Sequence, residues 1–187
     1  MTRNGWRGPG WRVFNGHPAH AKEVRDWIGR VVASHNCPID PDDAELVVTE
    51  MFSNALMHGP PGGQVLVSYC LWRGGARIVV CDAGGTTMPC MRDSAVFDQG
   101  GRGLRVVDAI SAQWNGFRIG QAQVVWCDLG QPLRGAVGDE WTWLAWLLAE
   151  VPLAAPGTGT AEACGPPISA PRPDNQLTLR TTAGAIR

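Results

Sequence analysis

Hydrophobic and polar positions recur with two different periods over residues 1–130. Apolar residues at helical spacing predict one helix from Pro18 to about His35, and a second that starts at Asp40 or Asp42 and ends at His58. A third helix is predicted over residues 104–111, and runs typical of strands cover residues 11–14, 64–72, 76–81, 117–119 and 124–129. The predicted helices and the predicted antiparallel hairpins occupy separate stretches of the chain. The pattern therefore favours an α+β fold, a two-layer α/β sandwich with helices covering one face of a mostly antiparallel sheet.

Composition divides the chain into four parts. Residues 1–10 are predicted to form a flexible N-terminus and residues 11–130 a single compact domain. Residues 131–151 form a tryptophan-rich apolar extension, predicted to be helical from Asp139 onward. Because this extension is apolar on nearly every side, we expect it to dock on the core or to form a homodimer contact. Residues 152–187 are rich in Pro, Ala, Gly and Thr, so we expect them to be disordered.

Charge and composition exclude several classes of function. The 16 basic residues nearly balance the 17 acidic ones, so the chain has no overall field that would attract nucleic acid or an anionic membrane. Lys22 is the only lysine and follows no glycine-rich loop, which excludes a G-x-x-x-x-G-K phosphate loop and a conventional protein kinase. No apolar stretch reaches the roughly 20 residues of a membrane helix, and the cysteines form no C-x-x-C pair. We therefore expect a cytoplasmic protein.

The second predicted helix carries a polar stripe. Glu50, Asn54 and His58 follow one another at four-residue steps and therefore share one side of that helix. Val48 and Phe52 belong to the adjacent apolar arc, so the stripe borders the buried side instead of opposing it. Such an arrangement is typical of the wall of a pocket. The alternative is an ordinary amphipathic helix whose solvated face carries these residues by chance.

In two further segments, a group that could bind a ligand stands next to glycines. Asp82 ends a strand and is followed closely by Gly84, so a ligand could approach the backbone and donate to the carboxylate, as an adenine amino group would. The alternative is an aspartate-containing turn. After a loop of about twenty residues with little periodicity, Gly101 and Gly103 lead into the third helix at Leu104. Glycines before a helix start leave backbone N–H groups free to face an anion such as phosphate.

In their order and separation, these three segments resemble the ATP-binding domain of the GHKL superfamily, whose Bergerat fold gyrases and histidine kinases share. Residues 50–59 resemble its N box, residues 82–85 its G1 box, and residues 101–104 its G2 box at the end of an ATP lid. The resemblance covers residues 11–129. It is strongest to the bacterial anti-sigma factor serine/threonine kinases, on the stretches 43–50, 103–108 and 124–129.

The resemblance implies a role for each matched residue. Asn54 would coordinate Mg²⁺, and Asp82 would accept a hydrogen bond from the adenine amino group. Glu50 would be the general base that activates a serine hydroxyl of a protein substrate, or water. His58 would either stabilise the site or end its helix. The implied ATP-binding residues are Asn54, Asp82, Gly84 beside the base, Gly101 and Gly103 around the phosphates, and the neighbouring Arg102 and Leu104.

Two functions follow from this resemblance. One is a kinase of a partner-switching system, with ATP and Mg²⁺ as cofactors, a sigma factor as one partner and an anti-sigma factor antagonist as the other, phosphorylated on serine. The other is a nucleotide-dependent protein-binding module with little or no phosphotransfer. Many relatives carry Gly-x-Thr before the closing strand, whereas this chain has Gln121-Ala-Gln-Val124, so a hydroxyl near the phosphates is missing. A histidine kinase fragment also fits the motifs, but no dimerisation helix pair precedes them.

Overall fold

The computed structural model describes residues 7–35, 37–84, 102–132, 139–150, 153 and 164–165. In this part of the chain the helices are α1 Ala21–Ser34, α2 Pro41–His58, α3 Arg102–Ile110 and α4 Asp139–Glu150, with one 3-10 turn at Pro18–His20. The strands are β1 Arg7–Asn15, β2 Gln64–Trp72, β3 Gly75–Asp82, β4 Gln113–Ile119, β5 Ala122–Gly130 and the two-residue β6 Cys164–Gly165.

The described strands form one sheet in the order β4-β5-β3-β2-β1-β6, and every neighbouring pair is antiparallel. The predicted α+β fold is therefore confirmed. Strand β3 lies between β2 and β5, and all its residues are buried. Its last residue, Asp82, is paired with Val65 on one side and Gln123 on the other. A carboxylate consequently ends a strand in the middle of the sheet.

Helix α2 has clear start and stop signals. The Asp40 carboxylate accepts a hydrogen bond from the Asp42 backbone N–H at 3.0 Å, and Pro41 occupies the first helical position, where no N–H donor is needed. The helix ends where the Gly59 N–H donates to the Ala55 carbonyl oxygen at 2.9 Å. These signals fix which residues of α2 face the sheet and which face a neighbouring helix.

Helices α1, α2 and α3 cover one face of the sheet. The rings of Phe14 and Phe52 meet edge to face, with their centroids 6.1 Å apart. The residues on the sheet side of this core alternate along each strand, as the period of a β-strand requires. The core includes Ile28, Val32, Val48, Met51, Phe52, Val67, Ile78, Val80, Val107 and Val125.

Helix α4 covers the opposite face of the sheet. Its residues Leu144 and Leu147 are fully buried and pack in a second apolar cluster with Trp11, Val13, Leu66, Val79, Cys81 and Val124. The predicted two-layer arrangement, with helices on one face, is therefore incomplete. Strands β2, β3 and β5 are apolar on both faces, and both faces must be covered. None of the described helices is long and apolar enough to cross a membrane.

The largest differences from the predicted strands concern β1, β6 and β4. Strand β1 starts at Arg7, inside the segment 1–10 that was predicted to be flexible, because its backbone pairs with β2 as far as Leu71. Strand β6 lies in the tail predicted to be disordered, and it pairs with β1. Strand β4 begins at Gln113, four residues before the predicted start. Backbone pairing to an edge strand leaves little trace in side-chain hydropathy, which explains all three differences.

A buried ion pair joins β3 to β5. Arg77 donates to both carboxylate oxygens of Asp128, at 2.6 Å and 2.9 Å, and Gln113 donates to the same carboxylate at 2.7 Å. Both charged side chains are almost fully buried, and the Arg77 guanidinium also lies 4.3 Å from the centroid of the Trp126 ring. Removing one partner would take from the other buried charge the ion pair that faces it.

We predict that Asp128→Asn lowers the free energy of unfolding by about 3 kcal/mol or more, because the buried Arg77 charge then loses the carboxylate to which it donates twice. Chemical denaturation measures the change. The double variant Asp128→Asn/Arg77→Met should recover most of the loss, and Asp43→Asn, at an exposed position in the first turn of α2, should cost no more than about 1 kcal/mol. A neutral effect of Asp128→Asn would mean that the pair contributes nothing to stability.

Candidate functional site

The polar stripe of α2 borders the core, as its sequence position suggests. Asn54 is buried, with 5% of its surface exposed, whereas Glu50 and His58 are half-buried. The apolar neighbours Met51 and Ala55 belong to the core beneath them. The stripe therefore lies between the buried and the exposed side of α2, and Asn54 is its buried member.

Helix α3 brings its first turn against this stripe. A Cβ atom placed on Gly103 would lie 2.5 Å from Glu50 Oε2 and 3.5 Å from Asn54 Nδ2. Residue 103 therefore meets both polar side chains of α2 with only its backbone. The start of α3 carries backbone N–H groups with no intrahelical partner, so this corner of the molecule is suited to an anion.

Asn54 has an unpaired polar atom. Its Nδ2 is buried and has no hydrogen-bond partner among the described residues. Buried amide groups are rarely left in this state, because an unpaired polar group destabilises the fold. Since the oxygen and nitrogen of an amide can exchange places by rotation, the side chain can present an acceptor or a donor to a ligand.

Asp82 lies at the other end of the site. Its carboxylate is 4% exposed and accepts a hydrogen bond from the Gly84 backbone N–H at 2.7 Å. Burial raises the pKa of this carboxyl, and the Gly84 N–H and the nearby charges of Arg118 and His58 act in the opposite direction. His58 therefore acts electrostatically on Asp82 as well as lying in the last turn of α2.

The end of α2 and the turn after β3 are in close contact. A Cβ on Gly59 would lie 3.2 Å from the Cβ of Asp82. Gly84 has a φ of +92° and packs against the carbonyl oxygen of Gln121 in the β4–β5 hairpin. A side chain at residue 84 would be strained by that backbone angle and would meet the carbonyl, so the turn requires glycine.

Sequence reasoning missed Gln123. Its side chain is 2% exposed, and its Oε1 is buried with no hydrogen-bond partner among the described residues. The β3–β5 register puts Gln123 directly opposite Asp82. The stretch from Gln121 to Val124 therefore lies at the Asp82 end of the site. A glutamine in an otherwise apolar strand was the available signal, but only the pairing of β3 with β5 identifies its neighbour.

Some predicted site residues lie partly or wholly outside the described structure. Gly101 and the loop of residues 85–100 are outside the described residues, so their roles stay predictions. Arg102 begins α3, and only its backbone is described. Leu104, in the first turn of α3, is buried, with 5% of its surface exposed. The described site is thus formed by α2, the first turn of α3, and the ends of β3 and β5.

Solved structures and family models include proteins that are similar to this chain. A histidine kinase domain from the Erythrobacter litoralis EL346 blue-light activated histidine kinase is similar, with 22% sequence identity and a TM-score of 0.39 over 60% of this chain. The match spans 59% of that chain's length. No match is found among curated proteins. The family model of the histidine kinase-like ATPase domain matches residues 14–119. Because this match covers more than half of the 187 residues, the chain belongs to the histidine kinase-like ATPase domain family.

Proposed function

We propose that this chain binds Mg²⁺-ATP between α2 and α3 and acts as a serine/threonine protein kinase of the anti-sigma factor type. The observation that carries the proposal is the convergence of Glu50, Asn54 and Gly103, in which two polar side chains of one helix meet the bare backbone at the start of another. Membership of the ATPase domain family supports nucleotide binding at this place.

The site has two chemically different ends. Asp82 provides a buried acceptor for the base, and the N-terminal turn of α3 provides backbone donors for the phosphates. Helix α2 connects the two ends, because Gly59 contacts Asp82 and Glu50 contacts Gly103. At a rise of about 1.5 Å per residue, these contacts lie roughly 13 Å apart along the helix. An extended nucleotide would therefore run parallel to α2.

The residues present fit a magnesium ion held jointly by protein and phosphate. Asn54 is a buried amide whose Nδ2 has no hydrogen-bond partner among the described residues, and rotation of the amide would put its oxygen in the same place. An amide oxygen and phosphate oxygens are suitable ligands, and Mg²⁺ when bound would neutralise phosphate charge. The role of Asn54 is to hold that oxygen next to the first turn of α3, where the phosphates would lie.

Glu50 is placed for proton transfer. Its carboxylate is half-buried and lies next to the start of α3, so it is shielded from bulk solvent yet open to a substrate. In the proposed reaction, a serine hydroxyl oxygen attacks the γ-phosphorus, its proton passes to Glu50, and the bond to the bridging oxygen breaks to release ADP. With water as the acceptor, the same steps would give ATP hydrolysis.

The regulatory part of the proposal rests on the sequence motifs of residues 43–50, 103–108 and 124–129. They support a partner-switching role, with a sigma factor and an anti-sigma factor antagonist as the protein partners. A nucleotide-dependent binding module without phosphotransfer is the second candidate. It is favoured by Gln123 and Val124, which supply no hydroxyl at the closing strand.

We predict that Mg²⁺-ATP stabilises the chain and that Asn54→Ala abolishes this effect, because the phosphates then lose the side chain that holds their metal ion. At a hundredfold excess of ATP over Kd the stabilisation should be about 2.7 kcal/mol. Thermal unfolding with and without nucleotide measures it. Met57→Ala, at an exposed position of the same helix, is the control and should keep the full shift. An unchanged shift in Asn54→Ala would refute the assigned role.

We predict that Glu50→Gln lowers phosphotransfer by about 100-fold or more but leaves ATP affinity unchanged, because only proton transfer requires the carboxylate. The assay uses γ-labelled ATP and antagonist proteins that carry a serine acceptor, with ATP hydrolysis measured in parallel. If the wild-type chain transfers no phosphate to protein or water while binding ATP, the binding module is the correct function. Equal rates for the wild type and Glu50→Gln would exclude Glu50 as the base.

We predict that Gly103→Ala retains or slightly raises the stability of the apo chain but weakens both ATP binding and phosphotransfer. Alanine is the better helix former, by at most about 1 kcal/mol and by less in a first turn than in a helix interior. Its Cβ would, however, push the Glu50 carboxylate away from α3. Thermal unfolding and ATP titration of the same variant separate the two effects. Ala109→Gly, at an exposed position of α3, should instead lower stability without changing ATP affinity. Unchanged ATP binding in Gly103→Ala would contradict the close approach.

A further inference from the structure

Gln123 is a buried amide that the proposed catalytic roles do not use. It is 2% exposed, and its Oε1 lacks a hydrogen-bond donor among the described residues. The same is not true of the polar side chains at the opposite end of the sheet, where Arg77, Gln113 and Asp128 satisfy one another. In this orientation the amide is a buried acceptor without a donor, which destabilises the folded chain unless a ligand supplies that donor. Rotation of the amide would present a donor instead, as a glutamine with a purely structural role could do.

The sheet register places Gln123 between Asp82 on β3 and Arg118 on β4. Asp82 and Gln123 are direct cross-strand partners, so their side chains lie on the same face of the sheet, the face covered by α1, α2 and α3. In the described structure Asp82 accepts one hydrogen bond, from the Gly84 N–H, which leaves acceptor capacity on its carboxylate. Two side chains with unfilled acceptors thus stand next to each other at the buried end of the site.

We propose that Gln123 is a specificity residue for the nucleotide base. Asp82 accepts one hydrogen of the exocyclic amino group of an aminopurine, and Gln123 Oε1 accepts the other. This inference rests on the proposed function, since it assumes that the base lies at Asp82. Two adjacent acceptors match an –NH₂ group, which has two donors, whereas the 6-oxo group of a hypoxanthine or guanine base would bring a third acceptor to the same place.

Substitution of Gln123 by an apolar residue of similar shape separates this role from a structural one. Gln123→Met removes the amide while filling the same volume. If the amide serves only the ligand, the melting temperature of the apo variant should be equal to that of the wild type or higher, because an unpaired buried acceptor has been removed. A structural glutamine would give the opposite change.

The ligand side of the test uses two nucleotides that differ only in the amino group. Gln123→Met should bind ATP about threefold to tenfold more weakly than the wild type, as loss of one hydrogen bond implies. It should bind purine riboside triphosphate, which has a hydrogen in place of the amino group, with unchanged affinity. Gln131→Met, at an exposed position beyond β5, is the control and should match the wild type with both nucleotides.

Several results would overturn the proposal. Equal weakening for both nucleotides, or a lower apo melting temperature, would show that Gln123 supports the fold and does not recognise the amino group. Unchanged ATP affinity would show that it does not reach the base. If Gln123→Met fails to fold, Gln123→Leu is measured with the same expectations, and failure of both variants to fold would itself assign Gln123 a structural role. Absence of ATP binding in the wild type would overturn the proposed function, a result distinct from any of these.

Discussion

The absence of a side chain at residue 103 allows the start of α3 to rest on the polar stripe of α2. With only backbone at that position, Glu50 and Asn54 reach the first helical turn, whose N–H groups have no intrahelical partner. The partial positive charge of the helix start stabilises a neighbouring carboxylate and would equally stabilise phosphate. Because residue 103 has no Cβ, the Glu50 carboxylate, the Asn54 amide and the anion-binding turn of α3 meet at one place. The proposed chemistry depends on all three.

Helix α2 transmits this constraint to the rest of the molecule. Its C-terminal end packs on Asp82 through Gly59, and its middle meets α3 through Glu50. A single helix therefore sets the distance between Asp82, which would bind the adenine, and the Glu50 carboxylate. Strand β3 holds Asp82 in turn, since it is paired on both sides and buried along its whole length. Helices α1 to α3 cover one face of that strand and α4 covers the other, so both of its faces are buried.

Much of this could be predicted from the sequence because the decisive signals are local. The bounds of α2 follow from the cap at Asp40, the proline after it and the glycine after His58. The helical period then puts Glu50 and Asn54 on one side of the helix. The turn at Asp82 is likewise encoded by a strand followed by glycines. The sequence therefore predicts Asp82 and Asn54 as two separate site residues, but it does not show how they lie relative to each other.

The rest depends on contacts between residues far apart in the chain. A glutamine at residue 123 resembles a solvent-facing strand residue, and only the β3–β5 pairing puts it opposite Asp82. The apolar pattern of α4 indicated burial but could not say whether the sheet or a second chain would cover it, and the structure packs Leu144 and Leu147 on the sheet. Strand β1 begins before Trp11 through backbone hydrogen bonds that hydropathy does not register.

A structure of the full chain with Mg²⁺ and a non-hydrolysable ATP analogue is the most direct measurement of the central claim. We expect the base at Asp82 with its amino group within hydrogen-bond distance of the carboxylate, the metal ion on the Asn54 amide oxygen, and the γ-phosphate between Glu50 and the start of α3. A nucleotide bound elsewhere, or one whose phosphates do not approach Asn54 and Gly103, would contradict it.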